Sequence, residues 1–290
     1  MRIVVGYTDT SAGRDALALG IRLARSCNAE LVIALVLINE ERPSLTPSSA
    51  GYQRLLEQRA DEWLATAAAR VPDTIPTQTH WLLAGSTAEG LIQAAADADA
   101  SLIVVGGSEG GVRGRFQVGS VTSALLHSSP IPVALAPRGL RSLELGPVAR
   151  LTVAIGQRAG ADELVDTAIA LATRTHAQLR FISLVALDVP KSARADATDA
   201  AVEHAEALLA HAQEHLPEGV ASEALVASGK SIEAAVKSTV WQPSEVVLVG
   251  SSRLAPAGRI FLGATAAKML HALPVPMIVV PRDNAVAFER

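Results

Sequence analysis

Apolar runs of strand length alternate along this chain with segments whose apolar residues recur at helical spacing, the pattern of a parallel sheet covered on both faces. Residues 3–5 open as a strand, and 13–27 carry Leu17, Ile21 and Ala24 at helical intervals. Residues 31–37 read as a fully buried strand. Pro43 and Pro47 then break the chain, after which 52–70 predict a helix burying Leu55, Leu56, Trp63 and Leu64. Residues 77–83 alternate as a strand, 87–96 form a short helix, 102–105 a central strand and 120–127 another helix. The strand at 132–136 is entered and left through prolines. Pro132 and its later counterpart Pro276 confine such strands to the rim of a sheet, where two rims can pair.

The pattern occurs twice. LARSCNAEL, beginning at Leu23, returns as LATRTHAQL at an offset of 148 residues. LLHSSPIPVALAPR returns as MLHALPVPMIVVPR at an offset of 144, pairing His127 with His271, Pro130 with Pro274, Pro137 with Pro281 and Arg138 with Arg282. Gly85 and Glu89 match Gly229 and Glu233 at the same 144, so the second half has lost four residues between the two windows. The stretch from Arg138 to Arg150 is rich in turn formers and lacks a period, which places the connection near Leu145 and the two domains at 1–142 and 148–290. At roughly 150 residues per domain, the length of 290 agrees.

Composition narrows the function. With 25 Lys and Arg against 29 Asp and Glu the net charge is −4, which offers nucleic acid and anionic membrane no broad attraction. Hydrophobic residues at 49% exclude wholesale disorder. Cys27, the one cysteine, cannot close an internal disulfide, and MRIVVGYTDT is too short for a signal core or a membrane span; a cytoplasmic location is the expectation.

Ligands of open α/β sheets sit beyond the carboxyl ends of the strands, where strand order reverses. There the first half reads Gly106-Gly107-Ser108-Glu109-Gly110-Gly111-Val112-Arg113-Gly114-Arg115-Phe116-Gln117-Val118-Gly119-Ser120, and a helix follows at once. The glycines let main-chain N–H groups approach an anion, and Gly119-Ser120 falls at a helix N-terminus, whose open donors and dipole favour phosphate. Arg113 and Arg115 could add charge. The same residues also suit a plain turn with Ser120 as its cap.

These residues resemble the universal stress protein (UspA-like) family in its tandem form, over nearly the whole chain. The family fingerprint is a strand ending near an Asp, a second strand giving a Val, and a Gly-x-x-Gly-(nine residues)-Gly-Ser/Thr loop that holds ATP in the nucleotide-binding branch. Gly106 matches the first glycine, Gly119 and Ser120 the closing pair with Val121 after them, and Val36 the valine. Glu109 stands where the second glycine belongs, with Gly110 and Gly111 beside it to supply flexibility. Thr8 takes the Asp position and Asp9 follows it. In the second half Gly250-Ser251-Ser252-Arg253 and Gly263-Ala264 replace the motif, and Gln157 stands opposite Asp9.

The resemblance implies two doubly wound, five-stranded parallel-sheet domains of adenine nucleotide alpha hydrolase-like fold, joined as a pseudo-dimer through their last strands. It implies ATP, with magnesium, as cofactor, the stronger site in the first half, a sensor or regulator role in stress, and a homodimer and protein partners. The alternative is a scaffold of the same fold that has lost nucleotide binding.

Other motifs carry less. Ala224 to Ser231, with Gly229-Lys230-Ser231, resembles a P-loop but has Ala for its first Gly, and its repeat equivalent Gly85-Ser86-Thr87 has no Lys. His204, His211 and His215 share a helical stripe, and His211 with His215 could share a metal, but Glu203, Glu206 and Glu214 mark an exposed polar face and no metal is expected. His127 and His271 suit helix C-termini. Cys27 and the tryptophans Trp63, Trp81 and Trp241 read as packing residues. No Gly-x-Ser-x-Gly elbow follows a strand, so no catalytic residue is assigned; hydrolysis would need a water-positioning group and a metal.

Overall fold

The computed structural model describes residues 1–39, 50–107, 116, 118–143, 146–155, 162–186, 191–216, 218–252 and 258–282. The first half runs β1 (Arg2–Gly6), α1 (Ser11–Cys27), β2 (Glu30–Ile38), α2 (Ala50–Ala68), β3 (Thr77–Ala84), α3 (Thr87–Asp97), β4 (Leu102–Gly106), α4 (Ser120–Ser128) and β5 (Val133–Ala136). After a short 3-10 turn the second half repeats the order as β6 (Arg150–Ile155), α5 (Asp162–Thr175), β7 (Gln178–Ala186), α6 (Lys191–His215), β8 (Ser222–Gly229), α7 (Ile232–Ser238), β9 (Glu245–Gly250), α8 (Ala264–Ala272) and β10 (Met277–Val280).

Local chemistry sets these boundaries. The Thr10 hydroxyl accepts from the Gly13 amide at 3.1 Å and starts α1, and Asn28 ends it in the left-handed region at φ 49°. Ser86 opens α3 in the same way, accepting from the amide of Glu89 at 3.2 Å. The strands are rich in Val, Ile and Leu, which suit a pleated surface buried on both sides.

All strands join one ten-stranded sheet in the order β3-β2-β1-β4-β5-β10-β9-β6-β7-β8. Every pairing is parallel except that of β5 with β10, where Val133, Ala134 and Leu135 face Val279, Ile278 and Met277. The expected rims do meet. Joined, they lie at the middle of the sheet, and β3 and β8 are left as its margins. Helices α1, α2, α5 and α6 pack one face into a core through Leu17, Leu64, Leu171 and Leu208. Helices α3, α4, α7 and α8 pack the other through Leu91, Leu125, Val236 and Leu270. Each core runs through both halves.

Two details differ from the sequence pattern. Leu55 is 54% exposed, because Ala60, Leu64 and Ala67 form the buried stripe of α2 and a residue five positions before Ala60 is turned about 140° from it. Strand β2 is only half-buried at Val36 and Leu37, since β1 pairs it no further than Gly6 with Ala34 and its end projects beyond that neighbour.

Two buried carboxylates are paired, whereas the buried Arg22 guanidinium meets main-chain carbonyls, those of Gly146 (3.1 Å) and Pro243 (3.4 Å). The Asp15 carboxylate, 1% exposed, accepts from the amides of Gly139 (2.8 Å) and Arg141 (3.0 Å) and from the Arg141 guanidinium, fixing the chain that leaves β5 onto α1. In the second half Glu245, wholly buried, holds Arg180 and the Thr152 hydroxyl, and its other oxygen accepts from the amide of Gln242 at 2.9 Å. The first half has Ser101, Val32 and Val4 at the corresponding places, so this polar knot belongs to one repeat alone. Glu245→Ala leaves Arg180 buried without its carboxylate. It is expected to destabilise the chain by about 3–5 kcal/mol, read as a lower urea midpoint, whereas Ser101→Ala in the first half changes it little.

Candidate functional site

Strand order in the first half reverses between β1 and β4, so a crevice opens beyond the carboxyl ends of those strands. Residues 7–10 leave β1 toward α1, Gly106 and Gly107 leave β4, and Gly119 opens α4. The Thr122 hydroxyl donates to the carbonyl of Gly106 at 3.3 Å, which ties the first turn of α4 to the end of β4. Gly106 has a packing reason to be glycine: a Cβ there would stand 2.1 Å from the carbonyl oxygen of Ala12, where the first turn of α1 passes.

The start of α4 is unlike that of α1, α3 and α7. Those helices are capped by the hydroxyls of Thr10, Ser86 and Ser231. Gly119 caps α4 in an extended conformation (φ −85°, ψ 174°) with no side-chain bond, and Ser120 behind it is exposed. Among the described residues, nothing accepts from the amides of Ser120 and Val121. A helix start of this kind presents donors and the positive dipole end to whatever lies in the crevice.

Thr8 is exposed, its hydroxyl 3.2 Å from that of Thr10. Asp9 is already engaged: one carboxylate oxygen accepts from the Tyr7 hydroxyl at 3.2 Å and from the Arg14 guanidinium at 2.8 Å. The ion pair is about one-third exposed on each side, so the acid presents no lone negative charge to the crevice. Burial first, then the Asp9 charge, then the hydrogen bond to Asp9 hold the Tyr7 phenol above its ordinary range. Tyr7 and Arg14 went unnoticed in the sequence; their signal is spacing alone, two before and five after Asp9.

Val36 lies on the β2 end of the same half, but its methyls pack on α3, 2.6 and 2.7 Å from where a Cβ of Gly90 would stand. Val121 is half-buried against the core of that face. Thr8, Asp9, Gly106, Gly119 and Ser120 thus stand at one end of the sheet, while the Val36 side chain is occupied by packing. Gly110 lies outside the described residues, as do Glu109, Gly111, Arg113 and Arg115, and Gln157 and Arg253 of the second half.

The equivalent segment of the second half is bonded to itself. The Ser251 hydroxyl accepts from the amide of Phe261 at 2.8 Å, and the Ser252 amide donates to the Phe261 carbonyl at 2.8 Å. Helix α8 also starts on an uncapped glycine, Gly263, with Ser252 in van der Waals contact with the space a Cβ would take there.

The remaining candidates resolve locally. The Ser231 hydroxyl caps α7, and Lys230 is exposed beyond marginal strand β8, so the P-loop-like run is a strand end and a helix start. His204 is half-buried, whereas His211, Glu214 and His215 are exposed with one ligand atom each within 4.8 Å of the others. His211 lies 3.8 Å from Asp166 of α5. His127 stands in the last turn of α4 with Nδ1 at 2.6 Å from the Ser123 carbonyl. The three tryptophans are half-buried at the margins of the cores. No helix among the described residues is long and apolar enough to cross a membrane.

Fold and crevice together define a duplicated, doubly wound α/β protein whose halves share one sheet and whose strand-to-helix loops sit at the switch points. The chain belongs to the universal stress protein family, whose model matches residues 1–137 and again 148–281. A universal stress protein of Mycobacterium tuberculosis is 31% identical over 297 aligned residues, covering 97% of this chain and all of the relative. Among solved structures, a universal stress protein from Archaeoglobus fulgidus superposes with a TM-score of 0.64 at 18% identity, covering 98% of this chain and 97% of that one. One from Pseudomonas aeruginosa, described as a putative universal stress protein, does so with a TM-score of 0.60 at 16% identity, covering 99% and 96%. At these identities the structures speak for the fold.

Cys27 is 1% exposed, and burial pushes its thiol up to about 11, against a smaller lowering by Arg174. The native protein at pH 8 is therefore expected to resist thiol-reactive dyes and to react at its single cysteine only after unfolding. Prompt labelling of the folded chain would place the thiol elsewhere.

Proposed function

We propose that this universal stress protein is an adenine-nucleotide-binding sensor or regulator of the stress response, with its working site in the first half. In this reading the amides of Ser120 and Val121 hold phosphate oxygens of ATP. Gly106, Gly110 and Gly119 let the main chain come close, and Thr8 and Asp9, with the end of β2 at Val36 rather than its side chain, border the sugar and base. The single observation that carries it is the start of α4, opened by Gly119 without the hydroxyl cap that α1, α3 and α7 have; α8 starts alike on Gly263, but the segment before it is bonded to itself through Ser251 and Ser252. The Asp9–Arg14 pair supports it, because an unpaired carboxylate at the same place would repel a triphosphate. Magnesium would arrive with the triphosphate. A regulator needs more than occupancy: ATP shifts a population only in so far as it binds one state better than another.

Ser120 is the first residue of α4, a position where proline fits a helix and simply deletes the N–H. Gly119, extended before it, tolerates a following proline. Ser120→Pro in the full chain is expected to weaken ATP binding by about tenfold or more, the loss of one charge-assisted hydrogen bond, with little change in melting temperature. Ala264→Pro, at the same position of α8, is expected to leave ATP binding unchanged. Isothermal titration decides: no binding by the wild type at millimolar ATP, or a larger loss in Ala264→Pro, would overturn the assignment.

A further inference from the structure

Residues 260–262 of the second half lie against the C-terminal turn of α4 in the first. The amide of Ile260 donates to the carbonyl of Ser129 at 2.9 Å, and that of Leu262 to the carbonyl of Leu126 at 3.0 Å. Between them the Phe261 ring meets His127 edge-on, with ring centroids 4.9 Å apart and planes at 89°. Ile260 is wholly buried in the core that α4 and α8 share. The donors alternate as in a strand. Those of Ile260 and Leu262 reach Ser129, the cap of α4, and Leu126 within it, while the amide of Phe261 turns back to the Ser251 hydroxyl and its carbonyl to the Ser252 amide.

We infer that this segment is a strap by which the second half positions the nucleotide helix of the first, with Ile260, Phe261 and Leu262 as positioning residues and Ser251 as the fastening. The physical need is plain. Helix α4 has nine residues, too few to persist by itself, and its amino end lacks a side-chain cap. The Leu126 carbonyl has no donor four residues on, because Pro130 lacks an N–H, and the strap supplies one; it supplies a second to Ser129, the residue that caps the helix. A helix held at its far end keeps the Ser120 and Val121 amides aimed without closing them.

The repeat shows why the roles differ between halves. At the 144-residue offset the counterpart of Ser251 is Gly107, which has no hydroxyl with which to fasten such a strap. Ser251 closes the second half's segment onto itself, and Ile260, Phe261 and Leu262, so held, make its contacts with the first half. The effect on ATP rests on the reading proposed above; the strap itself does not. By linkage, a nucleotide that prefers the aimed helix must in turn steady the strap.

Hydrogen exchange followed by mass spectrometry on the full chain, without ligand, tests the strap first. The double variant Ser251→Ala with Phe261→Ala is expected to speed exchange several-fold across α4 and to leave peptides of β1 and β2 unchanged. Unchanged exchange in α4, or an equal rise throughout the first half, would overturn the strap. Isothermal titration then tests positioning. The same variant is expected to bind ATP several-fold more weakly, and ATP to slow exchange at 260–262 in the wild type. Looser α4 with unaltered ATP affinity would overturn the positioning role. Absence of ATP binding by the wild type would remove the proposed function and leave the strap to be judged on ligand-free exchange. The His127→Ala and Phe261→Ala cycle separates contact from general weakening: non-additive effects on α4 exchange support the strap, and additive ones count against it.

Discussion

A short helix cannot satisfy its own ends, and the account of this protein rests on how the two ends of α4 are treated. Its amino end begins on Gly119 with no side-chain cap, beyond the strand ends where the order reverses between β1 and β4. Its carboxyl end is closed by main-chain donors from the other half of the chain. Capping the amino end with a hydroxyl, as in α1 or α3, would stabilise the helix by about 1 kcal/mol, engage the amide of Thr122 and set a side chain at the mouth of the first turn, where an anion would sit. The stability forgone at one end is offset by packing of Thr122, Leu125 and Leu126 and by the contacts at the other.

The duplication makes this division of labour available. Antiparallel pairing of β5 with β10 turns two rims into the centre of one sheet, and both cores run through it. Each half is then free to diverge where the other supports it. The second half carries the Glu245–Arg180–Thr152 knot at the amino ends of its strands and a self-bonded segment at the carboxyl ends. The first half has apolar residues at the place of the knot, Val4 and Val32, and keeps the Gly119-Ser120 pair at its crevice.

The fold was legible in the alternation of apolar runs and helical periods, and the tandem in the three recurring prolines with their histidine and arginine. Pro132 and Pro276 pointed to the rim of each half's own sheet; in the structure each stands one residue before β5 or β10, outside the ladder, so both strands pair on either side at the centre of the joined sheet. Leu55 was misread, since a leucine just off the buried stripe looks the same in sequence as one on it. Gly106, Gly119 and Ser120 could be placed at one end of the sheet from spacing. What surrounds them could not. Tyr7 and Arg14 engage Asp9, Val36 is occupied by α3, and residues 260–262 reach α4 from more than a hundred positions away; such partners are fixed by packing in three dimensions and leave no periodic trace.

The most direct test of the central claim is the response of individual amides. In nuclear magnetic resonance spectra of the full-length, isotope-labelled chain titrated with ATP, the account predicts saturable downfield shifts at Ser120 and Val121 that exceed those at Thr87, the first residue of the hydroxyl-capped α3. Amides of Ser120 and Val121 that stay in place at millimolar ATP, or move no more than that of Thr87, would contradict it.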